Sequence, residues 1–135
     1  MTDNRYEGTT DRAPVLCIVD DDGSTVELVR EVAAESGWVA YGFERIAEAR
    51  EFLSDQRPAL LVLDDDLPDG RGGDLARELR GDPALGDVPV LVCTAAHPSR
   101  QREIGGWAPV LSKPFDIFEL ERHLDACTRP DAATG

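Results

Sequence analysis

The residues of this sequence best suited to chemistry stand directly after four short apolar runs. They are, in chain order, Asp20–Asp22, Asp64–Asp66, Thr94 and Lys113. Carboxylates that lie close together repel one another and raise each other's pKa unless a cation lies between them. A ligand set made only of oxygen atoms suits Mg2+. If the chain brings these residues together, the sequence predicts a magnesium site beside a reactive carboxylate, a hydroxyl and an ammonium group.

The four apolar runs belong to a longer alternation of strand-like and helix-like segments, which predicts an α/β fold. Short apolar runs bounded by turn residues are typical of buried parallel strands. The predicted strands are 15–19, 39–43, 59–63, 88–93 and 109–112. The predicted helices are 24–36, 46–53, 73–80, 99–104 and 117–127, the first with a capping box at Ser24 and Glu27. Parallel strands carry their sites beyond their carboxyl ends, so the candidate residues should share one crevice.

Length and composition indicate a single acidic domain. The 135 residues are 41% hydrophobic, which is enough for one core, and the formal net charge is −13. That charge disfavours direct binding to nucleic acid or to an anionic membrane. Residues 1–13 and 128–135 are polar and lack periodicity, so we expect disordered tails on either side of a domain at 14–127.

A cytoplasmic location is predicted from what the sequence lacks. Cys17, Cys93 and Cys127 form no CxxC pattern, and two of them lie in strand-like runs, which favours buried, reduced thiols. No apolar run approaches the roughly 20 residues that a membrane helix needs, and no signal peptide is present.

Five motifs in order resemble the receiver domains of two-component response regulators, from Val15 to Cys127. An acidic pair follows the first strand, and an aspartate after the third precedes a proline and then a glycine. A Thr-Ala pair follows the fourth strand and Lys-Pro-Phe the fifth. The matching residues are Asp20–Asp21, Asp64 with Pro68 and Gly72, Thr94–Ala95 and Lys113–Phe115. The resemblance implies a flavodoxin-like, doubly wound parallel sheet of five strands in the order 2-1-3-4-5.

The same resemblance implies a role for each matching residue. Asp64 would accept a phosphoryl group, while Thr94 and Lys113 would contact its oxygens, Lys113 pairing with Asp64 at rest. Mg2+, for which Mn2+ can substitute, would be held by Asp21, Asp64 and the main-chain carbonyl of Asp66, with Asp20 acting through water. Such a protein catalyses its own phosphorylation and slow dephosphorylation and is not an ordinary enzyme.

The resemblance also implies partners. A sensor histidine kinase or a histidine phosphotransfer protein would donate the phosphoryl group, and the added charge would change a protein-binding surface. We expect a stand-alone receiver that binds another protein or passes the phosphoryl group on, without direct contact to nucleic acid and without membrane insertion.

Three departures from the family pattern bear on how the signal would leave the domain. Val110 stands where receivers usually carry an aromatic residue, so the usual aromatic switch is absent. The interval from Thr94 to Lys113 is shorter than is usual for the family, which predicts a short or partly unwound helix near Ser99. Asp65 and Asp66 add negative charge beside the acceptor, and we expect them to slow the approach of an anionic donor.

Two other functions remain as alternatives. The segment from Val19 to Ser24 also resembles the nucleophile motif of haloacid-dehalogenase-like phosphatases, with Asp20 as nucleophile and Asp22 as general acid. That family needs an acidic pair after the lysine and room for a cap, and this sequence offers neither. The second alternative is a pseudo-receiver, which keeps the fold as a protein-interaction module without being phosphorylated.

Other polar residues receive simpler interpretations. Asp22 is either an accessory acidic residue or merely exposed, and Asp69–Gly70 is a turn. His97 and His123 are poor candidates for a phosphohistidine or a metal ligand, because one precedes a proline in a loop and the other lies on the polar side of the last helix.

Overall fold

The computed structural model describes residues 13–128, which form seven strands and five helices. The strands are β1 (Val15–Val19), β2 (Val39–Phe43), β3 (Leu60–Leu63), β4 (Asp66–Leu67), β5 (Gly70–Arg71), β6 (Val90–Thr94) and β7 (Val110–Ser112). The helices are α1 (Gly23–Glu35), α2 (Ile46–Asp55), α3 (Gly72–Arg80), α4 (Pro98–Ile104) and α5 (Ile117–Thr128). Apart from Ala13 and Thr128, the two predicted tails lie outside the described residues.

Five of the strands form one parallel sheet in the order β2-β1-β3-β6-β7. Counted among themselves these strands have the predicted order 2-1-3-4-5, and the fold prediction is confirmed. The bounds of the predicted elements agree with the observed ones to within two residues. The short antiparallel pair of β4 and β5, which joins β3 to α3, was not predicted from the sequence.

Alternate residues of the strands build a separate core on each side of the sheet. In β1, Cys17 and Val19 pack on the side of α2, α3 and α4. Leu16 and Ile18 pack on the side of α1 and α5. The same alternation holds in β3, where Leu61 and Leu63 share the first side and Leu60 and Val62 the second. Burial of both faces explains why these strands are continuous apolar runs.

Two aspartates that were not predicted as helix caps have that role in the structure. Asp22, and not Ser24, is the N-cap of α1, since its side chain accepts hydrogen bonds from the Ser24 amide at 3.0 Å and the Ser24 hydroxyl at 2.7 Å. Asp69 does more than form a turn, because its carboxylate accepts from the first amides of α2, at 2.8 Å from Ile46 and 3.0 Å from Ala47. Each satisfies amides that helix geometry leaves unpaired.

The predicted short helix is α4, which has seven residues. Ile104 is its buried residue, and the ring of His97 caps its first turn by accepting from the Ser99 amide at 3.0 Å. The loop that follows is fixed to α3, where the Trp107 indole donates to the Gly73 carbonyl at 2.8 Å. No helix within residues 13–128 is both long enough and apolar enough to cross a membrane.

Candidate functional site at the carboxyl edge of the sheet

The structure brings the predicted site residues together at the carboxyl edge of the sheet. Asp20 follows β1, Asp64 follows β3, Thr94 ends β6 and Lys113 follows β7. These four strands are neighbours in the sheet, so their ends lie side by side. A cleft of about 420 Å3 opens there, lined among others by Asp64, Thr94 and Lys113.

Sheet hydrogen bonds continue one residue past the strands and fix the main chain of the site. The Asp20 amide donates to the Phe43 carbonyl, and the Asp64 amide donates to the Val19 carbonyl, both at 2.9 Å. The Lys113 amide donates to the Thr94 carbonyl at 2.9 Å. The side chains therefore start from main-chain positions that the sheet has already set.

Gly72 is required by the close approach of α3 to the acceptor segment. A Cβ atom at this position would collide with the main-chain carbonyl of Asp64 and would press on the side chain of Leu63. A glycine at the start of α3 thus lets the helix pack directly against the end of β3.

Three carboxylates form the acidic group that the sequence predicted. Oxygen atoms of Asp20, Asp21 and Asp64 lie within 4.8 Å of one another. Asp20 and Asp64 are buried, at 1% and 7% exposure, and Asp21 is exposed. With Lys113 as their cationic neighbour, three negative charges face one positive charge. The remaining two charges and the oxygen ligands fit a hard divalent cation such as Mg2+.

Lys113 pairs with the expected Asp64 and, more closely, with Asp20. Its Nζ lies 2.6 Å from Asp20 Oδ2 and 3.8 Å from Asp64 Oδ2, so its close partner is Asp20. Burial by itself lowers the pKa of Lys113, but the hydrogen bond to Asp20 and the charges of Asp64 and Asp20 outweigh it and raise the pKa. Lys113 therefore stays charged and leaves Asp64 only partly neutralised.

The pKa of Asp64 is raised, first by burial and then by the charge of Asp20. Lys113, the Asp66 amide and the Thr94 hydroxyl oppose this shift without cancelling it. Thr94 is 1% exposed, and its hydroxyl accepts from the Ala96 amide at 3.1 Å. The ionised form of Asp64 is thus short of positive charge, a deficit that a bound cation would correct.

A family model for the response regulator receiver domain matches residues 16–125. The chain belongs to the response regulator receiver family. The transcriptional regulatory protein GltR of Pseudomonas aeruginosa is 32% identical over 117 residues, which cover 84% of this chain and 48% of GltR. Protein PetR of Rhodobacter capsulatus is 35% identical over 126 residues, covering 90% and 52%. This chain therefore spans about half the length of these relatives.

Solved structures share the receiver fold. The receiver domain of a signal transduction histidine kinase from Syntrophus aciditrophicus has a TM-score of 0.78 at 28% identity, covering 85% of this chain and 89% of that one. The receiver domain of a sensor histidine kinase from Pseudomonas aeruginosa has a TM-score of 0.74 at 23% identity, covering 84% and 95%. That second structure has a magnesium ion coordinated in its active-site cleft.

Receiver domains of response regulators interact with histidine kinases or phosphotransfer proteins.

Two further predicted residues stand apart from the acidic group of this receiver. Asp22 caps α1 and is not part of the group formed by Asp20, Asp21 and Asp64. The side chain of Asp66 is exposed at the start of β4. The main-chain amide of Asp66 donates a hydrogen bond to the Asp64 carboxylate. The role of the Asp66 carbonyl as a metal ligand stays a prediction.

Asp65 does not place free negative charge beside the acceptor, contrary to expectation. Its carboxylate is 2% exposed and turns toward α3 and α4, where it meets Arg100 at 2.9 Å and 3.0 Å. Burial alone would raise its pKa, but hydrogen bonds from Arg100 and Gly73 and the charges of Arg100 and Arg71 lower it. Arg100 was not predicted as a site residue, although the alternation of Leu61, Leu63 and Asp65 indicates that Asp65 faces the α3–α4 side.

Proposed function

We propose that this receiver accepts a phosphoryl group on Asp64 from the phosphohistidine of a sensor histidine kinase or of a histidine phosphotransfer protein. Mg2+ would be held by Asp20, Asp21, Asp64 and the main-chain carbonyl of Asp66. The observation that carries this proposal is a buried, cation-deficient carboxylate, Asp64, lying within one cleft with a hydroxyl and an ammonium group.

Asp64 is the nucleophile in this proposal. One of its carboxylate oxygens attacks the phosphorus atom, and the bond between phosphorus and the donor's imidazole nitrogen breaks. That nitrogen keeps the bonding electron pair and takes a proton from solvent, while Asp64 becomes an acyl phosphate. Hydrolysis reverses the charge change, since water attacks the phosphorus and Asp64 leaves as a carboxylate. Such transfers depend chiefly on positioning and on neutralisation of charge.

Lys113 and Thr94 stabilise the charge that arrives. The ammonium of Lys113 already lies 3.8 Å from Asp64 and can follow the phosphoryl oxygens, and the Thr94 hydroxyl can donate to another oxygen. Bound Mg2+ supplies positive charge against the carboxylates and the phosphoryl oxygens. The magnesium ion in the neighbouring receiver structure from Pseudomonas aeruginosa supports this assignment.

Phosphorylation replaces the single negative charge of Asp64 with a group that carries roughly two, and it adds three acceptor oxygens. In this proposal the new group changes the position of the surrounding segments and hence a protein-binding surface. The downstream partner is a protein, because the net charge of −13 opposes binding to nucleic acid.

The test is incubation with Mg2+ and acetyl phosphate, followed by measurement of intact mass. Wild type should gain the mass of one phosphoryl group, and Asp64→Asn should gain none. Asp65→Asn is the matched control, since it removes the neighbouring carboxylate and should retain the gain. Chelation of Mg2+ should abolish the gain in wild type.

The alternatives give different results. A pseudo-receiver would show no mass gain in wild type at any Mg2+ concentration. The phosphatase alternative would require phosphate release that depends on Asp20 and survives Asp64→Asn, and the family assignment leaves it without support. A gain that persists in Asp64→Asn would contradict the choice of acceptor.

A further inference from the structure

Asp65 forms a complete ion pair with Arg100 on α4. Arg100 Nε donates to Asp65 Oδ2 at 3.0 Å, and Arg100 Nη2 donates to Asp65 Oδ1 at 2.9 Å. The Gly73 amide donates to the same carboxylate at 3.0 Å, and Arg71 adds a longer contact of 3.3 Å. The two partners are 3% and 14% exposed in their side chains, so water screens this pair weakly.

Arg100 also holds two carboxylates outside the cleft. Its guanidinium lies 2.9 Å from Asp74 Oδ1 on α3 and 3.0 Å from Glu103 Oε1 on α4. The adjacent Gln101 donates to the Ala96 carbonyl at 2.8 Å and to the Ser112 hydroxyl at 3.2 Å. Two consecutive side chains of α4 thus reach the segments that follow β3 and β6, and the end of β7.

These polar contacts help to fix α4. The helix has seven residues, and Ile104 is its buried residue. An isolated helix of this length is unstable in water, so tertiary contacts must hold it. Among those contacts, the pair between Asp65 and Arg100 joins α4 to the residue next to the proposed acceptor.

The phosphoryl site and this pair share one cleft. Asp64, Asp65 and Arg100 all line it. A phosphoryl group on Asp64 would carry roughly two negative charges in place of the single charge of the carboxylate, and it would extend them farther into the cleft. Those charges would repel the Asp65 carboxylate and attract the Arg100 guanidinium, and both effects weaken the pair.

We propose that the Asp65–Arg100 ion pair couples phosphorylation of Asp64 to the attachment of α4, and that the phosphoryl group loosens this helix. The inference rests on the proposed function and deepens it, because it names how the phosphoryl site reaches the surface. It also gives this chain a route to α4 in the absence of an aromatic residue at Val110.

Coupling of this kind is reciprocal. If a phosphoryl group weakens the pair, the pair must oppose binding at the phosphoryl site by the same factor. Removal of both partners should therefore make a phosphoryl analogue bind more tightly. A purely structural role for Arg100 predicts no such gain, which makes analogue affinity the discriminating readout.

The first measurement is amide hydrogen exchange of residues 99–104 with and without beryllofluoride and Mg2+. In wild type the analogue should speed exchange of α4 by about fivefold, the lower end of ordinary allosteric coupling. In Asp65→Asn/Arg100→Met, exchange should already be faster without the analogue and should change little with it. Arg102→Met is the matched control, because Arg102 is an exposed arginine of the same helix.

The second measurement is beryllofluoride affinity, read from the fluorine NMR signal of the bound analogue. The double variant should bind about fivefold more tightly than wild type, and Arg102→Met should bind like wild type. Equal affinity in wild type and the double variant would overturn the inference. So would an α4 response to the analogue that is as large in the double variant as in wild type.

Failure of this inference is distinguishable from failure of the proposed function. If acetyl phosphate adds no mass to wild type, the proposed function fails whatever α4 does. If the mass is gained at Asp64 while α4 exchange stays constant, the phosphoryl site stands and the coupling through Arg100 is wrong.

Discussion

Asp64 and Asp65 are neighbours at the end of β3, yet they lie in opposite surroundings. Asp64 faces other carboxylates, and its pKa is raised by burial and by the charge of Asp20. Asp65 faces Arg100, which lowers its pKa in spite of burial. Alternation along an extended chain points adjacent side chains toward different neighbours, although both residues line one cleft. One carboxylate is therefore left short of positive charge, while the other already has its partner.

The difference separates a reactive residue from a structural one. A carboxylate whose charge is not matched can gain from a bound cation and an incoming group, whereas a paired carboxylate has little to gain. The same comparison explains why a chain with a net charge of −13 can place several aspartates at one edge of its sheet. The charge of Arg100 offsets the repulsion that Asp65 would otherwise exert on the acceptor.

The largest expected change in stability comes from breaking the Asp65–Arg100 ion pair. Arg100→Met would leave the buried Asp65 charge with the Gly73 amide and a longer contact to Arg71, and we expect the free energy of unfolding to fall by about 3 kcal/mol. Urea denaturation measures this change. The double variant with Asp65→Asn should recover part of the loss, and a single variant as stable as wild type would show that the pair contributes nothing.

A smaller change in stability should follow when Mg2+ supplies the positive charge that Asp64 lacks. Mg2+ at about ten times its dissociation constant should raise the free energy of unfolding by about 1.4 kcal/mol, because it binds the folded state. Thermal or urea unfolding with and without Mg2+ measures this. Asp21→Asn should reduce the effect, and Asp65→Asn should leave it intact. Equal loss in both variants would contradict the division between the two carboxylates.

Acidification should selectively weaken the ion pair between Asp65 and Arg100. The folded-state pKa of Asp65 lies below its unfolded value of about 3.9, so the pair contributes fully above that pH. Its contribution is lost as the pH falls through the folded-state pKa. Between pH 5 and pH 2 wild type should therefore lose more stability than the Asp65→Asn/Arg100→Met variant. Parallel pH curves for the two proteins would count against the pair.

The smallest effect should come from Arg71. Its side chain is 59% exposed and lies 3.3 Å from Asp65, which Arg100 and Gly73 already satisfy. Arg71→Ala should change the free energy of unfolding by less than about 0.5 kcal/mol, as is usual for exposed pairs. A loss comparable to that of Arg100→Met in the same urea assay would mean that Arg71 is the principal partner.

Much of the fold was predictable because its signals are local. The apolar runs gave the five strands of the main sheet, and the order of the motifs gave the topology through the family resemblance. The positions of Asp20, Asp64, Thr94 and Lys113 at strand ends placed them at one edge, because parallel strands end together. Some small features were not predicted. One is the cap that Asp69 provides for α2, because Asp69 lies 23 positions after Ile46 and 22 positions after Ala47, whose amides it accepts from.

The sequence by itself determined which residues meet at the carboxyl edge, because strand periodicity and chain order fix where each strand ends. Tertiary structure alone decided which charges pair there. Lys113 lies closer to Asp20 than to Asp64, and Asp65 is neutralised by an arginine 35 positions away. Pairing depends on distances of a few ångströms between side chains from different elements, and that information arises only when the helices pack on the sheet.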